Sequence, residues 1–184
     1  MHDAGSMSFV HPGRNVVLIG FMGTGKSSVG RELARRWGFR FLDTDSIIRN
    51  QHGKSVAEIF ATYGELFFRE QEFATLTRLL HCHQAVIATG GGIVIQPRNI
   101  ALLGQLGTTI WLKADQATIL ERVTRNKNRP LLQTTDPERT IAELLAERAP
   151  LYESAADLVV DSSGISHHEV AERVMTELKA FQGD

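Results

Sequence analysis

The sequence predicts an α/β fold, a parallel sheet covered by helices on both faces. Two observations carry this. Five short, almost wholly apolar runs alternate with segments of helical periodicity, and fully apolar strands belong to sheets buried on both sides. The first run leads directly into Gly20-Phe-Met-Gly-Thr-Gly-Lys-Ser27, which fits G-x-x-x-x-G-K-[ST] between a strand and a helix.

The expected strands are Val16–Gly20, Arg40–Asp43, Ala85–Ala88, Thr108–Leu112 and Leu158–Asp161. The first helix is expected over Gly25–Trp37, with Val29, Leu33 and Trp37 on one face. Short helices follow over Ser46–Gln51 and Ser55–Thr62, then a long one over Glu65–His81 with Leu66, Phe73, Leu76 and Leu80 as its stripe. Arg98–Leu106 and Gln116–Thr124 come next. Pro137–Tyr152 carries Ile141, Leu144, Leu145 and Arg148, and His167–Phe181 carries Val170, Val174 and Leu178. Crossovers between parallel strands should be right-handed, and ligands should gather at the carboxyl ends of the strands. The polar, basic stretch from Asn126 to Pro137 reads as a lid, with a plain solvated connector as the alternative.

Composition bounds the function. The chain has 184 residues, enough for one domain with a real core, and shows no internal repeat or linker. A net charge of −1 argues against a dedicated nucleic-acid surface. No apolar run approaches the ~20 residues that span a bilayer, and residues 1–13 lack the apolar core of a secretory signal. The single cysteine, Cys82, excludes an intramolecular disulfide and is compatible with a reducing compartment. Three adjacent residues such as His81-Cys82-His83 cannot all face one ion on a regular element, so a helix end before a strand is the better reading. Residues 14–182 form one expected domain, with residues 1–13 as an N-terminal extension.

The chemistry-bearing residues lie at the predicted strand ends. In the glycine-rich loop, backbone N–H groups can ring a phosphate, helped by the positive end of the following helix. Lys26 is set to reach the β- and γ-phosphates and Ser27 to ligate Mg²⁺. Asp43-Thr44-Asp45 ends the second strand, and on an extended segment its two carboxylates would point the same way. Asp43 suits Mg²⁺, and Asp45 suits a hydroxylated acceptor as base; the alternative is a helix N-cap for either. Arg69 could snorkel over its neighbouring phenylalanines or turn inward to clamp a carboxylate, and composition does not choose. Thr89-Gly90-Gly91-Gly92 after the third strand allows close approach of backbone to a ligand. No acid ends that strand, which leaves Asp43 as the carboxylate nearest the metal. Arg148 lies on the helix just before Pro150, where its neighbour Glu147 could pair with it as a surface ion pair worth little.

Together, Gly20-Phe-Met-Gly-Thr-Gly-Lys-Ser-Ser-Val-Gly30, Phe41-Leu-Asp-Thr-Asp45, Phe68-Arg69 with Glu72, Thr89-Gly-Gly-Gly92, Arg129-Pro-Leu-Leu132 and Glu147-Arg148 with Pro150-Leu-Tyr152 resemble the shikimate kinase family. The match is collinear over nearly the whole chain.

The resemblance implies a three-layer α/β/α fold with a five-stranded parallel sheet in the order 2-3-1-4-5. It also implies transfer of the γ-phosphoryl of ATP to the 3-hydroxyl of shikimate, in aromatic amino-acid (chorismate) biosynthesis. The implied ATP-binding residues are Gly23, Thr24, Gly25, Lys26, Ser27, Ser28, Arg122 and Arg129, with Arg122 against adenine beside Gly164–Ser166. The implied acceptor residues are Asp45, Arg69, Gly90, Gly91, Gly92 and Arg148, with the two arginines on the carboxylate and Asp45 as base. Lys26, Asp45 and Arg129 are the implied catalytic set, Arg129 riding a lid at about 124–137. One Mg²⁺ would sit at Ser27 and Asp43. A cytoplasmic monomer with small-molecule partners, and neither nucleic acid nor membrane, is the expectation. Ser28 stands where threonine is common in the family, and Gln133–Glu138 is individual to this chain. A gluconate kinase on the same scaffold and a catalytically silent nucleotide-binding module are the competing readings.

Overall fold

A computed structural model describes residues 14–124 and 136–183. Five parallel strands form one sheet: β1 (Asn15–Ile19), β2 (Arg40–Asp43), β3 (Ala85–Ala88), β4 (Gly107–Lys113) and β5 (Leu158–Asp161), in the order β2-β3-β1-β4-β5. All four strand pairs are parallel, with Val17 opposite both Ile87 and Thr109.

The helices are α1 (Lys26–Trp37), α2 (Thr44–His52), α3 (Val56–Leu79), α4 (Pro97–Leu106), α5 (Gln116–Thr124), α6 (Pro137–Ala155) and α7 (His167–Gly183). Strand alternation divides the core into two layers. Val17 and Ile19 of β1 pack with Ile87, Leu103, Ile119, Ile141 and Tyr152 on one face. Val16 and Leu18 pack with Leu33, Trp37, Ile110, Val170, Val174 and Leu178 on the other. Val16, Val17, Leu18 and Ile19 are all 0% exposed, so a central strand has no solvent face to spend on polar residues. A third cluster of Ile48, Ile59 and Phe68 ties α2 to α3 and builds a small lobe beyond the end of β2.

Three local expectations change. The short helix over Ser55–Thr62 and the long one over Glu65–His81 are two arms of α3. Gly64, at φ 83° and ψ 171°, leaves helical geometry between them. The stripe of the second arm is not the expected one. Leu66 is 81% exposed, and the buried positions are Phe68, Arg69, Glu72, Thr75, Leu76 and Leu79. A face that includes positions 68, 72, 75, 76 and 79 holds the 3.6-residue period, and position 66 falls outside it. Finally, α2 starts at Thr44, so Asp43 is its extended N-cap and Asp45 already lies in its first turn. The two aspartates are therefore not on one extended segment.

After the triple glycine the chain makes a turn of 3₁₀ helix over Ile93–Ile95, which the sequence reading did not foresee. Ile93 N donates to Gly90 O and Ile95 N to Gly92 O, while Ile93 and Val94 enter the core. The stretch His81-Cys82-His83 is a turn from α3 into β3, where the Cys82 carbonyl accepts from Asn15 Nδ2 at 2.7 Å.

Candidate active site

The carboxyl ends of β1, β2 and β3 lead into the loop before α1, the first turn of α2 and the glycine turn. Gly20 and Gly25 hold φ of 140° and 92°, in the region that side chains rarely adopt, and a Cβ on Gly20 would collide with the Leu112 carbonyl oxygen. Lys26 is buried and its Nζ donates to Gly20 O and Phe21 O, each at 2.7 Å. Ser27 Oγ donates to Asp43 Oδ2 at 2.9 Å, while Asp43 Oδ1 accepts from Ser46 N at 2.9 Å. One carboxylate thus caps a helix with one oxygen and meets the loop serine with the other.

Ser162 Oγ donates to Thr24 O at 3.0 Å. Arg122 donates to Gly23 O, Ser162 O and Ile165 O at 3.3, 2.8 and 3.2 Å, joining the loop to the segment after β5. Ser28 is exposed beside this loop. Arg129 and most of the expected lid lie outside the described residues.

The acceptor side draws on α2, α3, the glycine turn and α6. Arg69 is 8% exposed, which excludes the snorkelling alternative. Its guanidinium pairs with Glu72 at 2.7 Å and Glu65 at 2.9 Å, and lies 5.9 and 5.8 Å from the Phe60 and Phe68 ring centres. Glu70, its neighbour in sequence, is instead exposed and pairs with Arg98.

Arg148 is also 8% exposed, with its guanidinium 5.7 Å from the Phe21 ring centre, whereas Glu147 is exposed. The surface-pair alternative for Arg148 therefore falls. The triple glycine runs between these groups. A Cβ on Gly90 would sit 2.5 Å from Asp45 Oδ1 and 3.1 Å from Glu72 Oε1, and one on Gly92 would sit 2.5 Å from Arg69 Nη1. Only a bare backbone passes this closely.

The acidic groups are tuned by burial. Burial, then the charge of Asp43, pushes the Asp45 carboxyl above the usual range, opposed by Lys26, Arg49 and Arg69. Burial likewise raises Glu72 to about 7, although Arg69 pulls it down. Asp45 Oδ1, Glu72 Oε1 and Arg148 Nε are shut from solvent and have no hydrogen-bond partner among the described residues. Such atoms are costly unless something satisfies them. A substrate hydroxyl donating to the carboxylate oxygens, and a substrate carboxylate accepting from Arg148 Nε, would do so.

Sequence reasoning quoted Glu72 and Tyr152 within motifs but gave neither a part in the site, and it passed over Glu65. The signal for the two glutamates was present. They stand four residues before and three after Arg69, the helical spacings at which side chains meet.

The sequence profile described as "Shikimate kinase" matches residues 22–179. The chain belongs to the shikimate kinase family. It is 46% identical over 170 residues to a shikimate kinase of Caldanaerobacter subterraneus subsp. tengcongensis, covering 92% of this chain and 99% of that one. It is 43% identical over 182 residues to one of Geobacter sulfurreducens, covering 99% and 100%. Among solved structures, shikimate kinase from Acinetobacter baumannii in complex with shikimate superposes with a TM-score of 0.87 at 35% identity, covering 94% of this chain and 95% of that one. A gluconokinase from Sinorhizobium meliloti reaches a TM-score of 0.57 at 16% identity over 92% of this chain and 94% of that one, and so shares the fold alone. Membership of the shikimate kinase family accounts for the sheet order and the glycine-rich loop, and favours the shikimate reading over the gluconate one.

Proposed function

We propose that the chain transfers the γ-phosphoryl group of ATP to the 3-hydroxyl of shikimate, giving 3-phosphoshikimate and ADP. The observation that carries this reading is the presence, beside the glycine-rich loop, of two buried arginines and a buried Asp45 oxygen that has no hydrogen-bond partner among the described residues. An acceptor with a carboxylate at one end and hydroxyls at the other matches that polarity. Membership of a family of shikimate kinases, and a similar solved structure that holds shikimate, support it further.

In this reading Arg69 and Arg148 grip the carboxylate, and the backbone of Gly90, Gly91 and Gly92 lies along the ring. Asp45 accepts the hydrogen bond of the reacting hydroxyl and takes its proton as the phosphoryl group arrives. Its raised pKa suits it to hold that proton. Lys26 leaves its loop carbonyls for the β- and γ-phosphates, and Gly23, Thr24, Gly25, Ser27 and Ser28 line the phosphate path. Phosphoryl transfer passes through a loose transition state, so charge neutralisation and alignment outweigh base strength. Arg129 would add positive charge from the lid, and Arg122 would pack against adenine.

A hard oxygen donor set suits Mg²⁺, which takes few protein ligands and keeps phosphate and water oxygens. Ser27 Oγ and Asp43 Oδ2 already lie 2.9 Å apart at the loop, and these two would hold the ion. Bound there, Mg²⁺ would neutralise phosphate charge. No helix among the described residues is long and apolar enough to cross a membrane, and a cytoplasmic monomer is the working proposal.

The test is ADP release measured with shikimate, gluconate and nucleoside monophosphates as acceptors. Turnover with shikimate at least tenfold above the others supports the proposal. Absence of shikimate-dependent release overturns it.

A further inference from the structure

α6 brings a second group to the glycine turn, one helical turn beyond Arg148. Tyr152 is 1% exposed, and its ring stacks on Trp111 with centroids 5.6 Å apart and planes 26° apart. Its hydroxyl donates to the Gly91 carbonyl oxygen. Burial pushes the phenol well above its usual range, and the nearby Arg148 guanidinium opposes the shift without reversing it. The hydroxyl therefore remains a neutral donor throughout the working pH range.

The described residues contain no cis peptide. In a trans peptide the carbonyl and the following N–H point in opposite directions. Holding the Gly91 carbonyl against α6 thus turns the Gly92 N–H away from α6. Gly92 also lies against Arg69, since a Cβ added there would sit 2.5 Å from the Arg69 Nη1. Glycine peptides rotate easily, and three in a row have no side chain to fix any of them. From outside the turn, the Thr44 hydroxyl accepts from Gly90 N at 3.1 Å and the Tyr152 hydroxyl holds the Gly91 carbonyl, which fixes the next peptide.

We propose that Tyr152 is a positioning residue for acceptor binding: its hydroxyl orients the Gly91–Gly92 peptide beside Arg69, so that the turn and the two arginines receive the substrate carboxylate as one unit. α6 then serves the carboxylate twice, through Arg148 directly and through Tyr152 by way of the glycine backbone. This rests on the shikimate reading above. Turnover of the unaltered protein with shikimate tests that reading, and the comparison below tests only Tyr152.

The experiment measures KM for shikimate, for its methyl ester and for ATP in the unaltered protein, in Tyr152→Phe and in Trp111→Phe. Loss of one orienting hydrogen bond should raise the shikimate KM roughly 3–10-fold in Tyr152→Phe. The ATP KM should stay within about twofold and kcat should change less than the shikimate KM. The ester lacks the anionic carboxylate, so its KM should barely move and the preference for acid over ester should shrink. Trp111→Phe loosens the same ring stack but keeps the hydroxyl, and should lower Tm while leaving that preference intact. An equal rise for acid and ester in Tyr152→Phe, or a loss of preference in Trp111→Phe, attributes the effect to packing and overturns the proposal.

Discussion

In the loop between β1 and α1, proposed to bind the nucleotide, Lys26 is bonded to two carbonyls of its own loop and Ser27 to Asp43. On the proposed acceptor side, Asp45 Oδ1, Glu72 Oε1 and Arg148 Nε are buried without hydrogen-bond partners among the described residues. The difference follows from how each half is assembled. The loop is contiguous in sequence, so its lysine can fold back on nearby carbonyls and satisfy itself. The other half takes single side chains from α2, α3 and α6, each fixed by its own packing, and leaves buried polar atoms unsatisfied among the described residues. In the proposed function a phosphate would displace internal hydrogen bonds of the loop, whereas shikimate would supply partners to these buried atoms. The acceptor half should therefore be the more sensitive to small geometric changes, and the donor half to loss of charge.

Lys26→Ala breaks the donor half alone. Removal of a charge aimed at the transferring phosphoryl group should cost about 10²–10³ in kcat, read by ADP release, while shikimate affinity by calorimetry stays within a few-fold. Surviving turnover contradicts the role of the loop.

Arg69→Ala breaks the acceptor half. It removes one carboxylate contact and leaves the buried Glu72 without its cation. Truncating one partner of such a pair costs about 3–5 kcal/mol of stability, so Tm should drop, and loss of a charge-assisted contact worth about 1.5–3 kcal/mol should weaken shikimate binding roughly 10–100-fold. ATP binding followed in the same titrations should barely change. Equal losses for both ligands would remove the distinction between the halves.

Gly90→Ala is a finer probe. The added methyl group would sit 2.5 Å from Asp45 Oδ1, so the carboxylate must move. The shikimate KM should rise roughly tenfold through displaced substrate hydroxyl contacts, with ATP KM unaffected. An unchanged shikimate KM means that Asp45 does not hold the acceptor.

The smallest effect concerns pH. Glu72 is raised from 4.5 to about 7 in the folded protein, so the native state binds more protons than the unfolded chain between those values. Its contribution to stability is full below pH 4.5 and is lost as pH rises through about 7. Glu72→Gln should flatten this slope, changing the Tm difference between pH 5 and pH 8 by roughly 2–6 °C. An identical slope in the variant means that Glu72 is not the group that titrates.

Much of the fold was legible because it is local. β2, β3 and β5 fall on the expected residues, and β1 and β4 differ by one residue at each end. Apolar runs bounded by polar residues have one sensible use in a sheet covered on both faces. The break at Gly64 was legible in place but not in kind. A glycine between two helical patterns marks an interruption, yet only packing decides whether the arms join as one element. Leu66 shows where periodicity misleads. Position 66 follows the break, so the buried face of the second arm is set by Phe68 and Arg69 meeting the lobe rather than by the first apolar residue in line.

The sequence by itself determined the donor loop, the sheet and the identity of the charged residues, because contiguous spacing encodes strands, helices and turns directly. Tertiary structure alone decided that Arg69 and Arg148 point inward, that Asp43 divides its two oxygens between a helix cap and Ser27, and that Glu72 stands beside Asp45. It alone brought Tyr152 to Gly91, 61 residues away in the chain. The direction of a side chain on an amphipathic helix depends on what packs against that helix, and that information is distributed over distant segments of the chain.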